Sequence, residues 1–195
     1  MYFPFGVTTL LYQLKPKGFC KDNFEKVLHK KAWGDKNFSF GASVNSKGKL
    51  TYSFSGKFVA KMEKGKAKIV GIGKVTVTVK AAATTNYKHA SKKLKLTVTP
   101  KKMVIKLVKS KKAGKMTVSW KRDSKASGYT IVYATNKGFK KAKRITVQPN
   151  KTTSKTISKL AKKKTYYVKI CAYKTVKGKK IPGPYSAVKK IKIKR

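Results

Sequence analysis

SKLAKKKTYYVKICAY, residues Ser158 to Tyr173, decides how this chain is read. Three lysines run into a tyrosine pair, and lysine then alternates with apolar residues. Taken as a surface, the stretch is a basic, aromatic face suited to nucleic acid. Taken as a β-strand, it has period two: Tyr166, Val168, Ile170 and Ala172 face a core, while Tyr167, Lys169, Cys171 and Tyr173 face outward. The neighbouring sequence favours the strand.

From about Lys49 onward the chain alternates with period two almost throughout, and no long segment has a helical period. LTYSFSG (Leu50 to Gly56), KVTVTVK (Lys74 to Lys80) and KLKLTVT (Lys93 to Thr99) each set apolar or aromatic residues on one face. MVIKLV, KMTVSW, GYTIVYA, RITV, TYYVKICAY and AVKKIKIK follow at short intervals, broken by Gly, Ser, Asn and Lys turns. Many short strands with turns between them predict an all-β fold of two tandem antiparallel β-sandwiches. VTPKKM places a proline, which cannot donate to a ladder, between one strand and the next unit. The boundary at Pro100 divides residues 25–100 from 101–195, each of sandwich size. Residues 1–24 fit neither unit; Phe19, Phe24 and Val27 begin either a short helix or an extra strand.

Charge is the unusual quantity. The 195 residues carry 51 Lys+Arg against 5 Asp+Glu, a formal net charge of +46, with 40% hydrophobic and 11% aromatic residues. That apolar content supports a buried core and argues against wholesale disorder. The arginines are Arg122, Arg144 and Arg195 alone, so nearly all the charge is lysine. Lysine is a hydrated point charge, whereas arginine supplies the planar fork that reads phosphates and base edges. The bias suits diffuse, salt-sensitive attraction to a polyanion. In a period-two pattern, most of these lysines are simply the wet face of strands.

The motifs of enzymes and metal sites are weak. GIGKVT (Gly71 to Thr76) has two glycines of a dinucleotide fingerprint, but Thr76 takes the third position and no helix follows to cradle a phosphate. A strand-entry turn is the better reading. Asp22, Glu25, Asp35, Glu63 and Asp123 are scattered, with no pair in a recognisable motif for glycosidase chemistry. His29 and His89 lack cysteine or acid partners at ligand spacing. Cys20 and Cys171 lie in different units and read as two free thiols. Cys171 beside lysines has some character of an activated nucleophile, but no histidine shares its unit, and alternation makes it an outward or partly covered thiol. A lysine–asparagine crosslink needs a buried acid beside the pair, and acids are few. No catalytic, metal or cofactor site is expected.

The N-terminal run Met1 to Leu14 is uncharged, too short to span a bilayer, and lacks the basic region and cleavage site of a signal peptide. Either the protein is intracellular, or this chain is part of a longer exported protein.

Lysine clusters at Lys92–Lys93, Lys101–Lys102, Lys111–Lys112, Lys140–Lys141, Lys162–Lys164 and Lys179–Lys180 are expected mainly at turns. Most form a solvated face; functional polyanion contact is the sharper alternative. KTVKGKKIPGP (Lys174 to Pro184) reads as a loop joining two strands, and it lacks an Arg-Gly-Asp. Lys162, Lys163, Lys164, Lys177, Lys179 and Lys180 are the candidate polyanion contacts.

Trp120 in KMTVSW, Tyr129, Ile131 and Tyr133 in GYTIVYA, and Leu160 with Tyr166 at tyrosine-corner spacing give residues 101–195 a resemblance to a fibronectin type III domain. On that resemblance these stretches are strands B, C and F, and GPYSAVKKIKIK is strand G. Residues 25–100 resemble a bacterial immunoglobulin-like domain of the group 2 kind, on KGKAKIVGIGKVTVTVKAAATTNYKHASKKLKLTVTP. SFSGKF stands in place of the family's Ser- and Asn-rich turn, and a first strand is poorly defined around AWGDKNFSF. Together the two resemblances imply a lysine-rich surface protein of Gram-positive bacteria: an extracellular or cell-wall-associated spacer or adhesion module. The implied partners are an anionic cell-wall polymer or glycan and other domains of a longer chain, with no membrane span. A nucleic-acid binder ranks behind it, given scarce arginine and no groove-entering helix. An accessory region of a wall-degrading or carbohydrate-active enzyme stands as a third reading.

Overall fold

The computed structural model describes residues 28–42, 48–56, 58–85 and 88–195. The expectations for residues 1–24 and for Cys20, Asp22, Glu25 and Val27 lie outside the described residues. Among those described, every regular element is a strand, so the chain is all-β, built as two sandwiches in series.

The first sandwich centres on two long strands. β5 (Gly73–Ala81) buries Val75, Val77 and Val79 on one face, and β6 (Ala90–Thr99) buries Leu94, Leu96 and Val98 on the same side. They pair antiparallel, with Val77 opposite Leu94. The opposite faces carry Lys and Thr, so strict alternation of β-branched and polar residues makes one dry face and one wet face. β2 (Leu50–Phe54) flanks β5, and β1 (Leu28–Ala32) flanks β6. The β1–β6 pair is parallel, from Leu28 opposite Lys95 to Ala32 opposite Thr99, which corrects the wholly antiparallel expectation. Alternation fixes which side chains face inward but is blind to strand direction, so the sequence carried no signal of this.

The dry face is covered by Phe40, Val59 and a hairpin of β3 (Ala60–Glu63) and β4 (Lys66–Ile69). Both strands are four residues long with mixed patterning, and alternation alone missed them. Their turn, Lys64–Gly65, has positive φ at both positions (48° and 73°), as the two-residue hairpin turn demands. AWGDKNFSF is no first strand: Phe38 makes one bridge to Ala67, and Phe40 stacks on Tyr52 at 5.5 Å.

The second sandwich has one sheet of β11 (Ser154–Ile157), β8 (Met116–Trp120) and β7 (Ile105–Lys109). The other runs β10 (Lys143–Val147), β9 (Gly128–Ala134), β12 (Thr165–Val176) and β13 (Lys179–Pro182), with β14 (Lys189–Lys192) also on β12. Trp120 and Tyr129 meet edge to face across the core at 5.3 Å. Tyr166 is buried, and its hydroxyl accepts the Ala161 N–H at 3.1 Å, while the Leu160 N–H donates to the Gly114 carbonyl. This is the expected tyrosine corner.

Three expectations fail in this unit. Cys171 and Tyr173 do lie on the outer face of β12, yet they are 2% and 1% exposed. The chain after β12 returns over that face: Tyr185 hydrogen-bonds Cys171, and the Lys180 ammonium stands 4.8 Å from the Tyr173 ring centre. Of GPYSAVKKIKIK, expected as strand G, only Lys189–Lys192 is regular strand (β14): beyond Pro182 the chain detours through Pro184, and Ser186 takes both backbone groups of Ile170 (2.8 and 3.1 Å). Proline cannot donate to a ladder, which accounts for the break. Finally, KTVKGKKIPGP is chiefly a hairpin, with Lys177–Gly178 as a second positive-φ turn (48° and 75°). Lys92–Lys93 and Lys179–Lys180 likewise sit within strands rather than at turns.

Candidate functional site

The proposed contact lysines are all exposed, and the fold divides them. Lys162, Lys163 and Lys164 occupy the turn before β12, held by two backbone bonds between Ile193 and residues 163 and 164 (3.0 and 2.9 Å). Lys177 lies just beyond its other end, and Lys179 and Lys180 begin β13 opposite Val176 and Thr175 there. β12 is 12 residues long, so the groups are separated by about 40 Å and cannot hold one small ligand together. The six lysines thus form two poles.

The pole carrying Lys180 faces the first sandwich. Gly183 abuts Pro100: a Cβ on Gly183 would come within 2.7 Å of the Pro100 carbonyl. Beside this contact is a cleft of about 600 Å³ where Lys30 and Lys74 approach Lys180, with Thr97, Thr99 and Pro184 among the lining residues. Nothing local in the sequence says that Lys180 shares a cleft with Lys30 and Lys74, more than a hundred positions earlier.

A second cleft, of about 360 Å³, lies at the same junction. Trp33, in the turn that follows β1, forms a wall with Lys101 from the linker and Lys121, Arg122, Asp123 and Lys125 from the loop after β8. The Trp33 N–H donates to the Thr99 carbonyl (2.9 Å), tying this turn to the end of β6. Asp35 closes the turn, accepting the Ala32 N–H at 2.8 Å. The Lys125 ammonium stands 5.5 Å from the Trp33 ring centre. Asp123 Oδ1 accepts the Lys125 N–H at 2.9 Å, while Oδ2 is enclosed with no hydrogen-bond partner. Asn150 braces the loop from behind, donating to the carbonyls of Asp123, Ser124 and Ala126. Tyr129 completes the brace, its hydroxyl donating to Asn150 and accepting from the Asp123 N–H.

The other candidate groups have structural surroundings. Glu63 bridges Lys68 at 2.7 Å and Lys61 at 3.6 Å, and the Lys68 hydrogen bond holds its carboxyl below the usual range. GIGKVT is a strand-entry turn in which the Val70 and Gly71 N–H groups share the Val59 carbonyl and β5 begins at Gly73. Burial pushes the Cys171 thiol above its ordinary value, outweighing the hydrogen bond with Tyr185 and the nearby Lys169, so this is the opposite of an activated nucleophile. Among the described residues there is no metal-capable cluster, and Ser186 is the one buried polar or charged residue. A buried lysine for an intramolecular crosslink is therefore lacking among them.

No curated protein matches the chain. Among solved structures, a myokine structure is similar at 26% identity with a TM-score of 0.39, covering 49% of this chain and 99% of its own. The FN1–FN3 domains of chicken CNTN1 are similar at 16% identity with a TM-score of 0.43, covering 88% of this chain and 64% of theirs. Residues 100–187 match the family model of the fibronectin type III domain, and with Trp120, the Tyr166 corner and the strand order in place, the second sandwich carries that domain.

Proposed function

We propose that this chain is a non-catalytic, extracellular spacer and adhesion segment that contacts anionic cell-wall polymers or glycans through its lysines. In this reading the first sandwich is a bacterial immunoglobulin-like domain of the group 2 kind, and the pair belongs to a lysine-rich surface protein of Gram-positive bacteria. Two sandwiches in series hold neighbouring domains away from the surface, while many weak charge contacts supply attraction. The observation that carries the reading is the split between a dry core and an all-round lysine coat on a chain of net charge +46. The fibronectin type III match supports a non-catalytic module. Lysine on flat strand faces gives proximity to a polyanion without base readout, which places nucleic acid second.

The test is binding to purified cell walls, with and without their anionic polymer, beside duplex DNA across a salt series. Retention on walls that depends on the anionic polymer and weakens with salt is expected. A preference for DNA that persists at physiological salt would sink the proposal.

A further inference from the structure

We infer that the cleft beside Pro100, where Lys30 and Lys74 approach Lys180, binds an oxyanion of two or more charges, and that this anion sets the angle between the two sandwiches. This deepens the polyanion reading and rests on it. The lysine coat attracts polymers all round, whereas here one bound group joins two units.

Strand register places the first two cations. Lys30 lies opposite Thr97 in the parallel β1–β6 pair, and Lys74 lies opposite the same threonine in the antiparallel β5–β6 pair. Directly opposed residues share a face, so Lys30, Thr97 and Lys74 form one row on the wet side of the sheet. Three neighbouring strands span about 10 Å, a width that two lysine side chains can close around a common group. The second sandwich supplies the third cation. Lys180 sits near the start of β13, with its ammonium 4.8 Å from the Tyr173 ring centre, and three residues on Gly183 abuts Pro100.

The balance of charge in the cleft is positive. Asp35 is the one acid among its lining residues, and its Oδ2 already accepts the Ala32 N–H. The ion pairs among the described residues are those of Glu63, so Lys30, Lys74 and Lys180 have no carboxylate partner there. Like charges on two units joined through Pro100 push those units apart, and an anion between them turns the repulsion into attraction.

The ligand class follows from the donors. An ammonium is a compact point charge that takes phosphate and carboxylate oxygens alike, so the cleft selects by valence and not by the anion's shape. A monovalent ion leaves most of the repulsion in place; a group with two or more charges engages both units. At about 600 Å³ the cleft falls within the range of small-molecule sites and has room for a diphosphate or a tricarboxylate. The cleft at Trp33 lacks this property: its cations come from the linker and the second unit alone, so an anion there bridges nothing.

The experiment adds pyrophosphate or citrate to the full chain at constant ionic strength, with sodium chloride as the monovalent control. Small-angle scattering reads the spread of angles between the units, and calorimetric titration reads affinity. Both multivalent anions are expected to narrow the spread and chloride to leave it unchanged. Lys74→Gln or Lys180→Gln should weaken pyrophosphate binding about tenfold, against less than about twofold for Lys162→Gln/Lys163→Gln/Lys164→Gln at the far pole. Lys74 and Lys180 are exposed, so both substitutions leave the cores intact. Equal narrowing by chloride would mean screening alone and would overturn the site. A loss from Lys74→Gln that Lys180→Gln does not share would put the anion on one unit and remove the bridge. A response to long-chain polyphosphate but not to pyrophosphate, or equal losses at the far pole, would also overturn the site while leaving diffuse polyanion contact standing. Absence of binding to any polyanion even at low salt would remove both the site and the broader reading.

Discussion

The two sandwiches solve the same packing problem with different materials. The second closes two full sheets over Trp120, Tyr129, Tyr133 and Tyr166, so large rings span the gap and their hydroxyls brace loops. The first has one full sheet of valine and leucine, covered by a short hairpin and a cluster of Phe38, Phe40, Tyr52 and Phe54. In one unit, aromatic residues lie at the centre between sheets; in the other, they plug the open side of a single sheet. The lesson is that alternation alone makes a sheet with a dry face, and what covers that face is settled by a few aromatics placed outside the regular pattern.

The comparison breaks most sharply at the large rings. Trp120→Ala is expected to destabilise the second sandwich by about 3–5 kcal/mol, as for a large core aromatic. Trp33 and Trp120 are the only tryptophans and fall in different units, so in Trp120→Ala the fluorescence of Trp33 follows the first unit while far-UV circular dichroism follows both. If Trp120→Ala lowers both transitions equally, the units are one cooperative body rather than two. Phe40→Ala is the counterpart, with a loss of about 3–5 kcal/mol confined to the first unit, read by chemical denaturation.

Tyr166→Ala should likewise cost about 3–5 kcal/mol, and Tyr167→Ala, on the outer face, far less. Equal costs would mean that β12 is out of register. Tyr166→Phe isolates the corner bond to the Ala161 N–H and should cost about 1 kcal/mol.

Smaller effects concern Cys171. Burial raises its thiol above the ordinary value, so the folded state holds the neutral form while the unfolded chain ionises first. Its contribution is thus fully present below about pH 8.5 and is lost as pH rises from there through the folded value. A thiol reagent at pH 7 should leave Cys171 unmodified in the folded chain and react after denaturation. Rapid labelling of this position in the native state would contradict its enclosure. Cys171→Ala should flatten the alkaline slope slightly.

Much of the architecture was legible in the residues. Val75, Val77 and Val79, or Tyr166, Val168 and Ile170, announce strands and inward faces by spacing alone, because a pleated strand has a fixed period of two. Short hairpins were harder: β3 and β4 are too short to establish a period, although Lys-Gly at Lys64–Gly65 was a usable turn signal, repeated at Lys177–Gly178. The candidate site was least legible. Its lysines were visible as clusters, but Trp33 and Arg122 stand almost ninety positions apart, and nothing local says they share a cleft.

By itself, then, the sequence determined the class of fold, the positions of the strands and the basic surface, since each follows from local periodicity and composition. The tertiary structure decided the rest. It set β1 parallel to β6, buried Cys171 and Tyr173 beneath the returning chain, and parted Lys162–Lys164 from Lys177–Lys180 by the length of β12. These depend on which distant segments meet, and a period-two pattern carries the same signal whichever partner, direction or cover the chain finds.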